Sequence, residues 1–476
     1  MLNQQSDILP NKLVDKKAVL VLFHNDLRVD DNATVSKAAT LAKKDDGSLL
    51  CVYADSLARS IEASNVSQTN ESQAYQFDEM GAARAQFLAE SLADLDESLQ
   101  RLGNSLLYLT SRQPSQPNGE STTSTFAQLC QLIERQHVTD ICVSDTADYA
   151  QNQIYALLQE KHPKITWHSQ STNTLFATLP TEYLPKSFTQ FRKKVEATHH
   201  LLTAADDVVL SSAPSSLPAL PDNLLNEAED NTLFFKNYQF EQQLSEFKGG
   251  AASALTHVND YFGSDAPSTY KTTRNALDDW TSSTKFSAWL ANGSLSVNVL
   301  LNRLREYERD TVANDSTYWI WFELLWREYF YWYALTHQQR LFWFKGIAQQ
   351  PPTTSFDRTR LEQWKTCTTS YPIVNACMKQ LLQTGYMSNR GRQIVASCFI
   401  HELGLDWRYG ATHFEQHLID YDVASNWGNW QYLAGVGADP RGCRQFNLAK
   451  QTQQYDPSGS FIHKWQGDNT DDYVLS

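Results

Sequence analysis

Short, continuous apolar runs alternate with helical patterns through the first third of the chain. Residues 18–23 read Ala-Val-Leu-Val-Leu-Phe, and similar runs follow at 49–53, 106–109, 140–143 and 165–168. A strand that is apolar at every position is typical of a sheet covered on both faces. Helical patterns fill the intervals, at 33–44, 80–102, 125–135 and 149–161. The alternation predicts an α/β domain at residues 17–170, built on a doubly wound, Rossmann-like parallel sheet.

The second half of the chain has a different character. Of the 13 tryptophans, only Trp167 lies before residue 241. Helical spacing dominates at 241–262, 285–290, 297–309, 316–336, 361–364, 373–383, 389–403 and 411–418, and no strand pattern stands out. We therefore predict an all-α domain at 241–466, joined by a linker at 171–240 that is rich in Ala, Ser, Pro, Asp and Asn. A short acidic tail at 467–476 follows.

Composition excludes several classes of protein. A formal net charge of −14 argues against a general polyanion binder, so any nucleic acid must meet a local basic face. The seven cysteines form no CxxC pair, which argues against a zinc ribbon and fits a reducing compartment. The polar stretch 1–17 lacks the apolar core of a signal peptide, and charged residues interrupt the apolar window 318–344. We expect a cytoplasmic protein without a membrane span or a bound metal.

Two segments are chemically unusual. The stretch Asp420-Tyr-Asp-Val-Ala-Ser-Asn426-Trp-Gly-Asn-Trp430-Gln-Tyr432 mixes carboxylates, amides and four aromatic rings. This mixture suits neither a surface loop nor an ordinary core helix, and it indicates a pocket for a flat, redox-active ring system with polar edges. The second segment, Ser283-Thr-Lys-Phe-Ser287, precedes a helical pattern. It predicts an anion site at a helix start, with a simple helix cap as the alternative.

Three further patterns have both a functional and a structural interpretation. Trp319, Glu323, Trp326 and Arg327 share one helical face, which suits either a flat heterocycle or a packed core. Asn389, Arg392 and Gln393 share another face, where a buried Arg392 would need an acid such as Asp420. Trp407 and Trp430 could relay single electrons to a cofactor, although packing alone also explains such rings.

Taken together, the sequences of these segments resemble those of the photolyase/cryptochrome family. The motifs include Phe23-His-Asn-Asp-Leu-Arg-Val-Asp-Asp-Asn32, Tyr270-Lys-x-Thr-Arg-Asn275, Thr384-Gly-Tyr-Met-Ser-Asn-Arg-Gly-Arg-Gln-Ile-Val-Ala-Ser397 and Asn426-Trp-Gly-Asn-Trp-Gln-Tyr432. The last two look like the cryptochrome-DASH branch. The resemblance runs from about residue 18 to about residue 465 and implies an antenna domain, a linker and a helical domain that holds a U-shaped FAD.

The resemblance also implies roles for individual residues around the cofactor. FAD phosphates would be held by Tyr270, Ser283, Thr284, Lys285, Phe286 and Ser287. Arg392 and Asp420 would pair beside the isoalloxazine, with Asp422 near the ring edge or ribose and Asn426 at flavin N5. Arg327 completes the expected cofactor-binding set. A second, antenna chromophore would be methenyltetrahydrofolate.

The implied activity is light-driven repair of cyclobutane pyrimidine dimers, chiefly in single-stranded DNA, by a monomer. Glu323, Trp326, Asn389 and Tyr432 would contact the flipped lesion, and Trp430 and Trp407 would carry electrons. DNA phosphates would meet Arg274, Arg390 and Arg444. Thr354 stands where the family carries the outer tryptophan of its relay, so the electron exit stays open between Trp343 and a nearby tyrosine. The alternative function is a blue-light receptor with little or no repair activity.

Overall fold

A computed structural model describes residues 17–55, 79–111, 123–179, 187–198, 209–237, 245–438 and 444–470. Its strands are β1 (Ala18–Phe23), β2 (Ser48–Ala54), β3 (Leu106–Leu109), β4 (Val138–Ser144) and β5 (Thr166–Gln170). They form a five-stranded parallel sheet in the order β3-β2-β1-β4-β5. The sheet confirms the predicted α/β domain, and each strand ends within two residues of its predicted bounds.

Helices cover both faces of this sheet, as the apolar strands require. They are α1 (Ala33–Lys44), α2 (Ala82–Arg101), α3 (Thr125–Arg135) and α4 (Tyr149–Lys161). All six residues of β1 are buried. Leu20 and Leu22 pack in a core with α3 and α4, whereas Val19 and Val21 pack in a second core with α1 and α2. Successive side chains thus enter opposite cores, which explains why no polar residue interrupts the strand.

The described part of the chain beyond residue 170 is helical. Its helices are α5 (Phe188–Thr198), α6 (Leu225–Asn237), α7 (Ala251–Phe262), α8 (Ala266–Thr273), α9 (Ser287–Asn292), α10 (Val297–Asp310), α11 (Asp315–His337), α12 (Arg358–Lys365), α13 (Pro372–Thr384), α14 (Asn389–Ser397), α15 (Trp407–His417), α16 (Val423–Leu433), α17 (Leu448–Tyr455) and α18 (Ser460–Lys464). Short 3₁₀ segments occur at 222–224 and 338–342, and one π-helical turn at 398–402 follows α14. Within these described ranges, no helix combines the length and apolarity needed to cross a bilayer.

Several helices do not follow from the sequence patterns. Helices α8, α16, α17 and α18 were not predicted. Of the predicted helix 241–262, residues 241–244 lie outside the described residues, residues 245–250 are not helical, and α7 begins only at Ala251. The segment expected to be a linker contains α5 and α6. Helix α6 packs against β3 and α2, and α5 packs against α11. Both helices are largely polar, because each buries only a narrow apolar stripe against its neighbours, so the sequence showed no clear helical pattern there.

The loop after β1 joins the two domains through Arg28. The Arg28 side chain is 3% exposed. It donates, at distances of 2.6–3.2 Å, to the carbonyl oxygens of Asp30, Asp31, Thr172 and Gly293 and to Oδ1 of Asn173. A guanidinium has five N–H donors in a fixed plane, so this one side chain can fix three backbone segments at once. The polar motif that follows the first strand therefore serves the domain contact.

Two contacts around α9 and α11 extend this interface. Gly293 ends α9 with φ of 74°, and a Cβ atom there would collide with the backbone carbonyl of Asn25. Leu27 N–H donates to the carbonyl of Asn292 at 3.1 Å. On α11, the buried Glu328 accepts hydrogen bonds from Leu175 N–H at 3.0 Å and Trp332 Nε1 at 2.9 Å. Only glycine tolerates both the close approach and the left-handed backbone at position 293.

Replacing Arg28 tests the domain contact. Arg28→Met should lower the free energy of unfolding by about 3 kcal/mol, because buried carbonyl acceptors lose their donor. The matched control is Arg135→Met, since Arg135 forms an exposed ion pair with Glu227 and should contribute less than about 1 kcal/mol. Thermal and urea unfolding followed by circular dichroism would measure both. Equal stability of the two variants would contradict the role assigned to Arg28.

Candidate functional site

The helical half contains two adjoining cavities that bring together most of the residues singled out by the sequence. The larger cavity has a volume of about 250 Å³ and the smaller one about 150 Å³. The larger is lined by residues that include Tyr270, Arg274, Ser283, Thr284, Lys285, Phe286, Ser287, Glu323, Arg327 and Tyr386. The smaller is lined by residues that include Gln393, Phe414, Asn426, Trp430, Tyr432, Arg444 and Phe446. Both cavities share Asn389, Arg392, Asp420, Asp422 and Ser425.

A part-buried ion pair forms the shared wall. Arg392 on α14 donates through Nη2 to Oδ1 and Oδ2 of Asp420 at 2.9 and 2.8 Å. Its Nε donates to the carbonyl of Met387 at 2.9 Å. The Asp420 side chain is 2% exposed. The acid that pairs with Arg392 is therefore Asp420, and the pair places a buried carboxylate and a partly exposed guanidinium between the cavities.

Asn426 is oriented by its own hydrogen bond. It lies in the first turn of α16, which begins after the N-cap Asp422. Its Nδ2 donates to the carbonyl of Ala411 on α15 at 3.0 Å. One amide N–H is engaged there, and Oδ1 can accept a hydrogen bond from a ligand in the smaller cavity. The side chain can thus accept a hydrogen bond from a ring N–H without carrying a charge.

The Ser283–Ser287 segment forms one end of the larger cavity. Lys285 adopts φ of 55°, a left-handed conformation that costs a residue with a side chain about 1–3 kcal/mol. Its ammonium lies 4.7 Å from the centroid of the Tyr386 ring. The segment therefore presents hydroxyls and a cation to the cavity, a chemistry suited to a phosphate.

Glu323 and Arg274 face the larger cavity as a pair. Nη1 of Arg274 on the C-terminal side of α8 forms an ion pair with Oε1 of Glu323 on α11. Burial raises the pKa of Glu323, while the Arg274 guanidinium opposes the rise. Arg274 was predicted to contact DNA; in this structure its guanidinium is the partner of Glu323.

Three predicted site residues do not line either cavity. Trp326 stacks on Phe188 of α5, with ring centroids 3.7 Å apart and planes at 12°. Trp407 is completely buried, and its Nε1 donates to the carbonyl of Phe344 at 3.1 Å. The Arg390 guanidinium lies 4.6 Å from the ring centroid of Tyr455. The Trp326 ring packs edge-on against Tyr432, which lines the smaller cavity; the ring centroids are 6.2 Å apart and the planes are at 79°.

Three other predicted residues line the cavities and also contact groups outside them. Arg327 donates to the carbonyl oxygens of Asn173 at 2.6 Å and Leu290 at 3.3 Å, so it also ties α11 to the domain contact. The Arg444 guanidinium lies 4.7 Å from the ring centroid of Tyr432. Trp430 packs edge-on against Trp364, with centroids 6.4 Å apart.

Sequence reasoning missed several lining residues. Tyr386 lies inside a quoted motif, and Phe446 lies in the segment after α16, so neither was assigned a role although both line a cavity. Ser425 lies between two predicted residues and lines both cavities. His257, which holds the Ser283–Ser287 segment from outside, had no signal in the sequence.

Comparisons with known proteins agree with this geometry. Residues 19–212 match the family model described as DNA photolyase, and residues 319–468 match the model described as the FAD binding domain of DNA photolyase. The helical match encloses Glu323 and both halves of the Arg392–Asp420 pair. The hydroxyls, the cation and the oriented Asn426 amide in the cavities fit a flavin dinucleotide.

Relatives that match over almost their whole length show to which branch of the family the chain belongs. The chain is 46% identical over 463 residues to a cryptochrome DASH of Idiomarina loihiensis, covering 96% of this chain and 94% of the relative. It is also 46% identical to a cryptochrome DASH of Vibrio parahaemolyticus, covering 95% and 94%. The crystal structure of the Synechocystis sp. PCC6803 cryptochrome superposes with a TM-score of 0.78 at 34% identity, covering 94% of this chain and 88% of that one. The chain belongs to the photolyase/cryptochrome family, in its cryptochrome DASH branch.

Proposed function

We propose that this protein repairs cyclobutane pyrimidine dimers in light, chiefly in single-stranded DNA, with FAD bound in the adjoining cavities. One observation supports the proposal above the others. Glu323, Asn389 and Tyr432, the residues expected to contact a lesion, line the same two adjoining cavities as the expected flavin-binding residues. A lesion that contacts these residues would lie close to a flavin bound there.

The residues of the chain have definable tasks in this reaction. Bound FAD supplies the photoexcited electron that opens the cyclobutane ring. The Ser283–Ser287 segment would hold the phosphates, and Asn426 Oδ1 would accept a hydrogen bond from N5–H of the ring. The Arg392–Asp420 pair would keep the flavin edge in a fixed, charged environment. Such preorganised groups do not need to reorient when charge moves between cofactor and lesion.

Glu323 would stabilise the lesion through hydrogen bonding. Burial raises the pKa of its carboxyl, so the group can take up a proton more readily than an exposed glutamate and donate to a pyrimidine carbonyl. The Arg274 guanidinium forms an ion pair with Glu323 and favours its ionised form, so it opposes this protonation. Asn389, at the junction of both cavities, offers a second hydrogen-bonding group to the lesion.

We attribute the preference for single strands to the size of the Tyr432 ring in the cavity wall and to the local positive charges near it. Flipping a lesion out of a duplex costs a few kcal/mol, and less from a single strand. The Tyr432 ring offers less apolar contact than the tryptophan of double-strand photolyases, so it recovers less of that cost. Arg390 and Arg444 are the local cations that bind phosphates in a chain with a net charge of −14.

Electron supply to the flavin would pass through Trp430 and Trp407. Trp430 lines the smaller cavity, and Trp407 is completely buried on the adjacent helix α15. Trp343 is 40% exposed and precedes Phe344, whose carbonyl accepts from Trp407 Nε1. These contacts favour Trp343 as the outer residue in place of Thr354. The antenna chromophore, methenyltetrahydrofolate, and the monomeric state stay predictions from the resemblance.

Illumination of the reduced protein with dimer-containing oligonucleotides tests the proposal. We expect dimer loss in single strands to exceed that in duplexes under the same light dose, measured by chromatography of the digested bases. Repair of neither substrate by a flavin-loaded protein would reject the lyase and favour the alternative, a blue-light receptor. Equal repair of both would reject the strand preference alone.

Substitution of Glu323 separates lesion chemistry from cofactor binding. Glu323→Ala should slow repair by about tenfold to a thousandfold, because a preorganised hydrogen bond to the developing charge is lost. Glu323→Gln, which can still donate, should retain more activity than Glu323→Ala. FAD content measured by absorbance should match that of the wild type in both variants. Loss of flavin from Glu323→Ala would refute its assignment to the lesion.

Enlarging the Tyr432 ring tests the basis of strand preference. Tyr432→Trp should raise the rate of duplex repair more than that of single-strand repair, since base–aromatic stacking contributes about 1–3 kcal/mol. Tyr432→Phe is the control, because it removes only the hydroxyl and should leave the ratio of the two rates near that of the wild type. An unchanged ratio in Tyr432→Trp would place the preference elsewhere.

A further inference from the structure

His257 contacts the cavity segment Ser283–Ser287 from the side opposite the cavity. It lies in the second turn of α7, and its Nε2 is 2.8 Å from the carbonyl oxygen of Thr284. Its ring stacks on Trp289, with centroids 5.1 Å apart at 29°, and meets Trp280 and Phe286 edge-on at 5.3 and 5.6 Å. These contacts, a further one to Tyr261 with ring centroids 6.4 Å apart, and the hydrogen bond together hold the ring in place. Nothing in the chemistry of the cavity itself requires a histidine at this position.

The hydrogen bond fixes the orientation of the next peptide group. A trans peptide is planar, so the N–H of Lys285 points away from the carbonyl of Thr284 that His257 holds. Among the residues that the structure describes, this N–H has no acceptor. Thr284 and Lys285 both line the larger cavity. Because His257 holds the Thr284 carbonyl on the α7 side, this peptide group presents the Lys285 N–H, and not a carbonyl oxygen, to an anion in the cavity.

The same contact supports the strained conformation of Lys285. A lysine with φ of 55° persists only where its surroundings determine it. The Lys285 side chain is 7% exposed and reaches the Tyr386 ring on one side of the segment. His257 fixes the preceding carbonyl on the other side. Burial lowers the pKa of His257, so near neutral pH the imidazole is uncharged and donates one proton, from Nε2, to Thr284.

We propose that His257 is a positioning residue that keeps the Ser283–Ser287 segment preformed for the phosphates of the bound dinucleotide. It touches neither cofactor nor substrate. It acts by holding the Thr284 carbonyl away from the anion, which would otherwise be repelled by the carbonyl oxygen, and by maintaining the left-handed Lys285. The inference rests on the proposed placement of FAD phosphates at this segment.

Two variants of the full-length chain separate hydrogen bonding from packing. His257→Phe keeps an aromatic ring among Trp280, Phe286 and Trp289 but removes the donor. His257→Gln places an amide N–H near the position of Nε2 and restores it. FAD affinity would be measured by titration of the flavin-free protein, followed by the change in flavin fluorescence, and the melting temperature of each flavin-free protein would be recorded as well.

The expected result is a loss of FAD affinity of about tenfold in His257→Phe, the effect of one hydrogen bond. His257→Gln should stay within about threefold of the wild type, while the flavin-free melting temperatures remain close to one another. Unchanged affinity in His257→Phe, or an equal loss in both variants, would overturn the inference. A wild-type chain that binds no FAD would instead reject the proposed function.

Discussion

The candidate site depends on the part-buried ion pair between Arg392 and Asp420. Removing two charges from water costs several kcal/mol per ion, and only close, well-directed hydrogen bonds repay this cost. Here both Asp420 oxygens accept from Arg392, and Arg392 Nε is satisfied by the carbonyl of Met387. The pair joins helix α14 to the turn before α16. Loss of either partner would leave the other charge buried at the place where both cavities meet.

The fold around this pair is held by polar contacts between the domains. Arg28 fixes the end of α9, and Glu328 fixes the segment that leaves β5. Glu328 lies on α11, one and a half turns beyond Glu323, so the interface also positions the lesion-facing side of that helix. The position of the cavity wall therefore depends on residues from the α/β domain. In that sense the first domain acts as a support for the chemistry in the second.

The sequence was sufficient for those features that arise from local periodicity. Strands β1, β2 and β3 are apolar at nearly every position, whereas β5 at the edge of the sheet is largely polar. Helices α1, α3 and α4 have the predicted bounds, and each begins after a side-chain cap such as Asn32 or Asp148. Helix α16 was missed because its glycine, amides and aromatic rings show no single apolar face. Most residues of the candidate site followed from the family resemblance, and the Arg392–Asp420 pair followed from the need of a buried guanidinium for an acid.

Contacts between distant segments lay beyond the sequence. The stacking of Phe188 on Trp326 joins a segment expected to be a linker to α11, and the pairing of Arg274 with Glu323 joins two residues assigned to different tasks. His257 carries no motif at all. Each of these depends on which helices become neighbours, and a pattern within one helix does not contain that information.

The crystal structure of the full-length chain reconstituted with FAD tests the central claim most directly. The account predicts a folded FAD spanning both cavities, with the isoalloxazine beside Arg392 and Asp420 and with N5 in hydrogen-bonding distance of Asn426 Oδ1. Flavin density at another place in the protein, or cavities that stay free of flavin although the crystals are grown with excess FAD, would contradict it.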